Sequence, residues 1–328
     1  MCIRDSLTAA QQLVEQDDVF GIVELSSAAD GSAQYLNSEK IPVTGWHVGV
    51  AAWGKYKNMF GWRNTQPKDP AETFVTRQAD LLKELGNKKI AIVGTNIQAS
   101  ATFVDQIAES VEKTKGLEVA YTTTDVTPAD REFTGIAQEI ADSGADALYT
   151  GMDLTQNAAL NAALKQAGSD VRTVILPGGY DDRVLGLDGM DGVLFGLEFK
   201  PFELEPPAFL EYKAAMEAAD KHVAGQVPYN GWLSADAFVR GVQAAGVDCP
   251  TRAAFIKNLR KVKGYDANGA FQPVDFKDIF GRPFYCVYYV KVVNGAFEPQ
   301  FDGEPFCTTR VIDHGKVKKL DPAVAAKG

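Results

Sequence analysis

Residues 88–151 read KKIAIVGTNIQASATFVDQIAESVEKTKGLEVAYTTTDVTPADREFTGIAQEIADSGADALYTG. Their first apolar run, Ile90, Ala91, Ile92 and Val93, is short and rich in β-branched residues. It breaks at Gly94 into Thr95 and Asn96, as a buried strand entering a loop does. Phe103, Val104, Ile107, Ala108 and Val111 then recur at three- and four-residue spacing, which predicts a helix with one face on a sheet. The unit repeats. Residues 117–121 predict a second strand, and Thr127 predicts a helix cap with Pro128 in the first turn. Phe133, Ile136, Ala137 and Ile140 form that helix's buried stripe, and residues 147–149 predict a third strand. Strands alternating with helices pair in parallel through right-handed crossovers, which sets every strand-to-helix loop along one edge of the sheet. The fold class is therefore α/β, and residues 94–99, 122–128 and 151–156 are the loops where a ligand would bind.

Upstream, residues 7–16 predict a helix and residues 19–23 a strand that stops at Glu24, Leu25, Ser26 and Ser27. Ser26, Ser27 and Asp30 stand where the next helix begins. Its spare N–H groups and two hydroxyls would seat an anion, or the serines simply cap it. Residues 41–44 predict another strand, delivering GWHVGVAAWGKY. In that loop Trp46 and Trp53 are either pocket walls or core. His47, one of three histidines, has no second histidine or cysteine at ligand spacing, which makes it a pocket or loop residue and not a metal ligand. Residues 58–62 predict a brief extended piece, residues 64–70 a connector, and residues 71–85 a long helix.

Downstream, residues 154–167 predict a helix and residues 173–176 a strand, which ends in PGGYDD with Tyr180 at its centre. Residues 193–197 predict one more strand and residues 198–207, with paired prolines and acids, a second connector. Helices then follow in succession over 208–221, 233–245 and 252–262. The end is extended: FYCVYYVKVV turns at Asn294 and Gly295 into AFEPQF, and residues 313–328 read as a polar, loosely held tail. Two connectors splitting an alternating chain describe two lobes joined by several hinge strands.

The 328 residues suffice for two cores, and 45% hydrophobic with 23% charged residues is an ordinary globular composition. A formal charge of -10, from 43 acids against 33 bases spread without blocks, argues against nucleic acid as a partner. No apolar run approaches the ~20 residues that span a bilayer. MCIRDS at the start resembles the translation of a sequencing-library adapter, so residues 1–6 are expected to be foreign and the true N-terminus, with any signal segment, to be missing. Apart from Cys2, the cysteines are Cys249, Cys286 and Cys307. The turn between the last two favours a Cys286–Cys307 disulfide in an oxidising compartment; three reduced thiols is the alternative.

GxGxxG after a strand, GxxxxGK[ST], HExxH and GxSxG are all missing from the sequence. Ser110 and Lys113 match SxxK, but at the C-terminal end of an amphipathic helix, where coincidence is the better reading. With neither a proton-transfer pair nor a cofactor or metal motif, the chain reads as a binder and not an enzyme. Ser26, Ser27, Trp46, Gln98, Asp153 and Tyr180, all at strand ends, would converge on one edge.

In order and spacing, VFGIVELSSAADGSAQYLNSEKIPVTG, KKIAIVGTN, REFTGIAQEIADSGADALYTG, YNGWLSADAFVRGVQAAG and VYYVKVVNGAFEP resemble type I periplasmic solute-binding proteins. These are the receptors of branched-chain amino-acid-type ABC transporters, and the match runs from residue 7 to about residue 312. The resemblance implies two doubly wound parallel-sheet lobes joined by a multi-strand hinge. Lobe one would comprise residues 7–70 and 200–283, lacking its first strand-helix-strand, and lobe two residues 71–199 and 284–312. It implies hinge closure on a small polar solute (an amino acid, amide or carboxylate), delivery to a permease, a monomer, and a periplasmic or extracellular place with a lipid anchor open. A ligand-sensing domain of a receptor or regulator on the same fold is the alternative. Residue by residue, Ser26 and Ser27 match the carboxylate holders. Trp46 and His47 stand where a small residue and a hydroxyl are common, and Gln98 where an aromatic is frequent. Asp153 would supply a countercharge with Tyr180 nearby. These departures argue against leucine-like specificity, and no cofactor is implied.

Overall fold

The computed structural model describes residues 2–325 except 48, 64 and 224, and of 2–4, 98, 99, 323 and 324 the backbone alone. The chain opens with helix α1 (Cys2–Gln11), which runs into a π-helical turn over Gln12–Gln16. Strands β1 (Ile22–Glu24), β2 (Val43–Gly45) and β3 (Met59–Gly61) alternate with α2 (Asp30–Ser38) and α3 (Ala52–Lys55). They pair in parallel as a three-stranded sheet with Glu24 opposite Gly45 and Gly45 opposite Gly61.

After β4 (Thr73–Val75) and α4 (Arg77–Glu84) comes the organising block: β5 (Lys89–Thr95), α5 (Gln98–Glu112), β6 (Glu118–Val126), α6 (Thr134–Ser143), β7 (Ala147–Gly151) and α7 (Leu154–Gln166). Strands β8 (Thr173–Leu176) and β9 (Leu194–Leu197) follow. Then come α8 (Pro207–Ala218), α9 (Gln226–Ala245) and α10 (Arg252–Leu259). The chain closes with β10 (Cys286–Val293), β11 (Ala296–Pro299), β12 (Phe306–Cys307), β13 (Arg310–Asp313) and β14 (Lys316–Lys319).

The second sheet runs β11-β10-β9-β8-β7-β5-β6 with β12 on β10. It is parallel from β6 to β9 and antiparallel at β10 and β11, so it is mixed, where the sequence suggested a wholly parallel sheet. The alternation along β5 explains its central place. Ile90 and Ile92 face one core with Val104, Ile107 and Val111 of α5, whereas Ala91 and Val93 face the other with Ala137, Ile140, Leu160 and Leu164 of α6 and α7. A strand buried on both faces reads as a continuous apolar run, and each such Ile or Val contributes roughly 1.5–3 kcal/mol on burial.

Three local readings are corrected. The helix expected from Thr127 starts at Thr134, because the Asp130 carboxylate takes both the Thr127 N–H (2.7 Å) and hydroxyl (2.8 Å) and closes a turn first. Residues 73–75, expected to be helical, are β-branched and aromatic and pair with β13. Residues 313–320, expected to be tail, form the return of the β13–β14 hairpin.

Helix α9 ties the two sheets together. Its body packs on β1 and β2, where the Thr44 hydroxyl donates to the Ser234 carbonyl (2.8 Å). At its N-terminus, about 30 Å from its far end, Gln226 Oε1 accepts from the Gly179 and Tyr180 N–H groups after β8 (3.1 and 3.3 Å). One apolar cluster accordingly runs from Phe60 and Trp62 through Tyr229 and Phe255 to Leu176, Phe195 and Tyr288. Cys286 and Cys307, opposite each other in the β10–β12 ladder with Cα atoms 4.1 Å apart, form a disulfide, and Cys249 is free and exposed. Among the described residues no helix is long and apolar enough to cross a membrane.

Candidate functional site

The C-terminal ends of β1, β2 and β3 deliver three loops to one edge, held in step by backbone bonds from Trp46 N to Glu24 O (3.2 Å) and Trp62 N to Gly45 O (3.1 Å). Gly45 is required there. A Cβ on it would lie 1.9 Å from the Glu24 carbonyl oxygen and 2.7 Å from the Trp53 ring. Trp53 itself is fully buried in the core of the first sheet, which decides between its two readings in favour of core.

His47 is buried in this edge. The Gly49 N–H (3.2 Å) points at its Nδ1, and the Gln66 amide nitrogen also lies 2.7 Å from it. A backbone N–H can only donate, so Nδ1 accepts, and the proton resides on Nε2. Nε2 then donates to Glu198 Oε1 at 3.2 Å, reaching the connector that leaves β9. Arg63 donates through Nη1 to the Glu198 carbonyl and lies over the Phe284 ring, 4.5 Å from its centroid. Burial alone would raise the Glu198 carboxyl. The His47 donor, the Trp46 indole and the Arg63 charge outweigh it and hold the group below the usual carboxylate range. The indole N–H of Trp46 faces this carboxylate without a hydrogen bond of ordinary geometry. Burial brings the Arg63 guanidinium down to about 10, which still leaves it a cation at neutral pH.

Glu24 differs. Burial raises its carboxyl to about 7, and its Oε2 is buried with no hydrogen-bond partner among the described residues.

The other candidates are placed as follows. Ser26 Oγ accepts from the Ala28 N–H (3.0 Å), and Ser27 is exposed at the same bend. Gln98 opens α5, and its side chain lies outside the described residues. Beside it Ser100 joins two loops of the second sheet, accepting from Thr95 N (2.8 Å) and donating to the Gly151 carbonyl (3.0 Å). Asp153 caps α7, its Oδ1 accepting from Gln156 N (2.9 Å). Tyr180 is buried; its hydroxyl reaches Glu203 (2.8 and 3.0 Å) and accepts from Phe202 N (2.9 Å). The structure thus gathers Ser26, Ser27, Trp46 and His47 on the first sheet's edge. Among the described residues no hydrogen bond links them to Asp153 or Tyr180.

Glu24, Arg63, Gln66 and Glu198 were missed from sequence. For Glu24, Arg63 and Glu198 the available signal was a charged residue at the end of a short apolar strand, in VFGIVE, MFGWR and VLFGLE; Gln66 carried none.

Asp181, Asp182 and His222 stand close enough to share an ion, but Arg183 already binds both Asp181 oxygens at 2.6 Å. A cavity of about 240 Å³ lined by Leu81, Thr173, Leu194 and Lys291 opens at the strand starts of the second sheet, away from every strand-to-helix loop.

Residues 4–296 match the family described as periplasmic binding protein. The chain belongs to that family. Its members are non-enzymatic solute binders that work outside the cytoplasm. No curated protein matches this chain. Among solved structures, a leucine-binding protein of Thermotoga maritima shares 18% identity over 95% of this chain and 85% of its own, with a TM-score of 0.69. A branched-chain amino acid ABC transporter protein of Thermus thermophilus with bound valine shares 14% over 93% and 83%, TM-score 0.78. A solute-binding protein from R. palustris in complex with benzoate shares 17% over 98% and 85%, TM-score 0.71. At such identities the likeness is one of fold: two α/β lobes of the type I periplasmic binding kind.

Proposed function

We propose that this chain is the extracytoplasmic receptor of an ABC importer, holding a small polar solute between its lobes and handing it to a permease. The lobes would be residues 7–70 with 200–283, and 71–199 with 284–312. The observation that carries this reading is the link from His47 and Arg63, on the edge of the first sheet, to Glu198 in the connector leaving the second. A connector bonded through side chains to a strand-end edge couples what happens at that edge to the relative position of the lobes. Ser26, Ser27, Trp46 and His47 would contribute the first-lobe side of the cleft and Gln98, Asp153 and Tyr180 the second. Relatives of the same fold carry valine and benzoate, so the fold tolerates different small solutes.

The test is equilibrium dialysis of the purified protein against a panel of amino acids, amides and aromatic acids, with mass spectrometry of both compartments. Retention of one equivalent of unchanged solute is the expected result. Chemical conversion of a retained solute, or retention of none, would overturn the receptor reading.

A further inference from the structure

The edge that the sequence marks as an anion seat carries the wrong charge for one. Ser26 spends its oxygen on its own turn, accepting from Ala28 N at 3.0 Å. Asp30 sits in the first turn of α2, where a bound anion would meet it, and its Oδ1 accepts from Ala52 N at 2.9 Å. Glu24 ends β1 immediately before that turn, and its carbonyl is bonded to the Trp46 N–H. The Glu24 Oε2 has no partner among the described residues, and no lysine or arginine contributes to the state of its carboxyl, which burial alone shifts. A half-buried carboxyl with one oxygen sealed from water and without a donor is destabilising, and such a group persists where something outside the chain supplies the donor.

We propose that Glu24 is the specificity residue of the solute site and takes an N–H donor of a small organic monocation, so that the first lobe selects for positive charge. The proposal rests on the receptor reading and deepens it. Two acids at one strand edge offer negative charge to an ammonium or guanidinium group, which a carboxylate solute could not use. The chain's formal charge of -10 works in the same direction.

The experiment is titration calorimetry with n-butylamine and methylguanidine as cationic probes, and butyrate and benzoate as anions of comparable size. The proteins are wild type, Glu24→Gln and Ser26→Ala, each first shown to unfold cooperatively. Wild type should bind an amine or guanidinium probe at one equivalent and neither anion. E24Q should weaken the cation by about tenfold or more, and S26A, which removes a hydroxyl and no charge, should weaken it by less. Binding of an anion in place of the cations, an E24Q affinity equal to wild type, or binding of no probe would each overturn the proposal. One-equivalent anion binding abolished by S26A would leave the receptor reading standing while removing this one.

Discussion

The imidazole of His47 donates from Nε2 to Glu198 Oε1 at 3.2 Å, which bonds the loop after β2 to a residue 151 positions away in the connector leaving β9. His47→Leu removes the donor and leaves the carboxylate in a largely buried place. The loss should be about 1–3 kcal/mol at neutral pH. The pH dependence has a definite sign. A carboxyl held below its ordinary value contributes stability that is present above the unfolded value of 4.5 and disappears as pH falls through the folded one. Urea melts across pH should therefore show the H47L deficit largest at neutral pH and vanishing in acid. A deficit independent of pH would assign His47 to packing alone.

Glu24 has the opposite dependence. Its carboxyl rises from 4.5 to about 7 on folding, so its contribution is intact below 4.5 and is lost as pH climbs through about 7. Glu24→Gln should stabilise the empty protein by roughly 2–3 kcal/mol above about pH 8 and change little below about pH 4. Stability gained where binding is lost is the usual mark of a functional carboxyl.

The disulfide between Cys286 and Cys307 closes a loop over a sequence separation of 21. Loop-closure entropy alone gives about 3 kcal/mol for this length. Cys286→Ser with Cys307→Ser should lower the unfolding free energy by that order in denaturant titration, and a reducing agent should do the same to wild type while leaving the double variant unaffected.

Two glycine substitutions should diverge. Gly45→Ala places a methyl 1.9 Å from the Glu24 carbonyl oxygen and should cost about 3 kcal/mol or more, since the Glu24 backbone and the buried Trp53 ring must move. Gly231→Ala, inside α9 with nothing outside that helix within 4 Å of the new Cβ among the described residues, should stabilise by about 1 kcal/mol. Thermal melts of both variants check the pair.

Asp153 separates a cap from a countercharge. Asp153→Asn keeps an oxygen for the Gln156 N–H and should leave the melting temperature nearly unchanged, whereas Asp153→Ala should cost about 1 kcal/mol. A solute affinity that drops in the Asn variant, with stability preserved, would give Asp153 a binding role in addition to the cap.

Much of the framework was legible because it follows from short-range patterning. The short apolar run through residues 90–93 and the helical stripe of Val104, Ile107 and Val111 each appear as expected, with boundaries shifted by a few residues. Where local signals competed, a long-range or side-chain interaction decided. Thr127 and Pro128 look like a helix start, yet Asp130 closes a turn first. Residues 73–75 could join a helix until β13 offers them a ladder. At the edge of the first sheet, the serines attracted notice because hydroxyls before a helix have a familiar role. The charged groups passed unnoticed because their significance depends on burial and on what stands opposite.

From the sequence alone came the α/β class, the loops worth inspecting and the favoured Cys286–Cys307 bridge among three cysteines, since periodicity, turn chemistry and motif spacing are properties of neighbours along the chain. Tertiary structure alone decided that His47 meets Glu198, that Tyr180 and Asp153 are occupied by internal partners, and that the Glu24 Oε2 lacks one among the described residues. Burial and pairing are relations between segments far apart in the chain, so they exist only once it has folded.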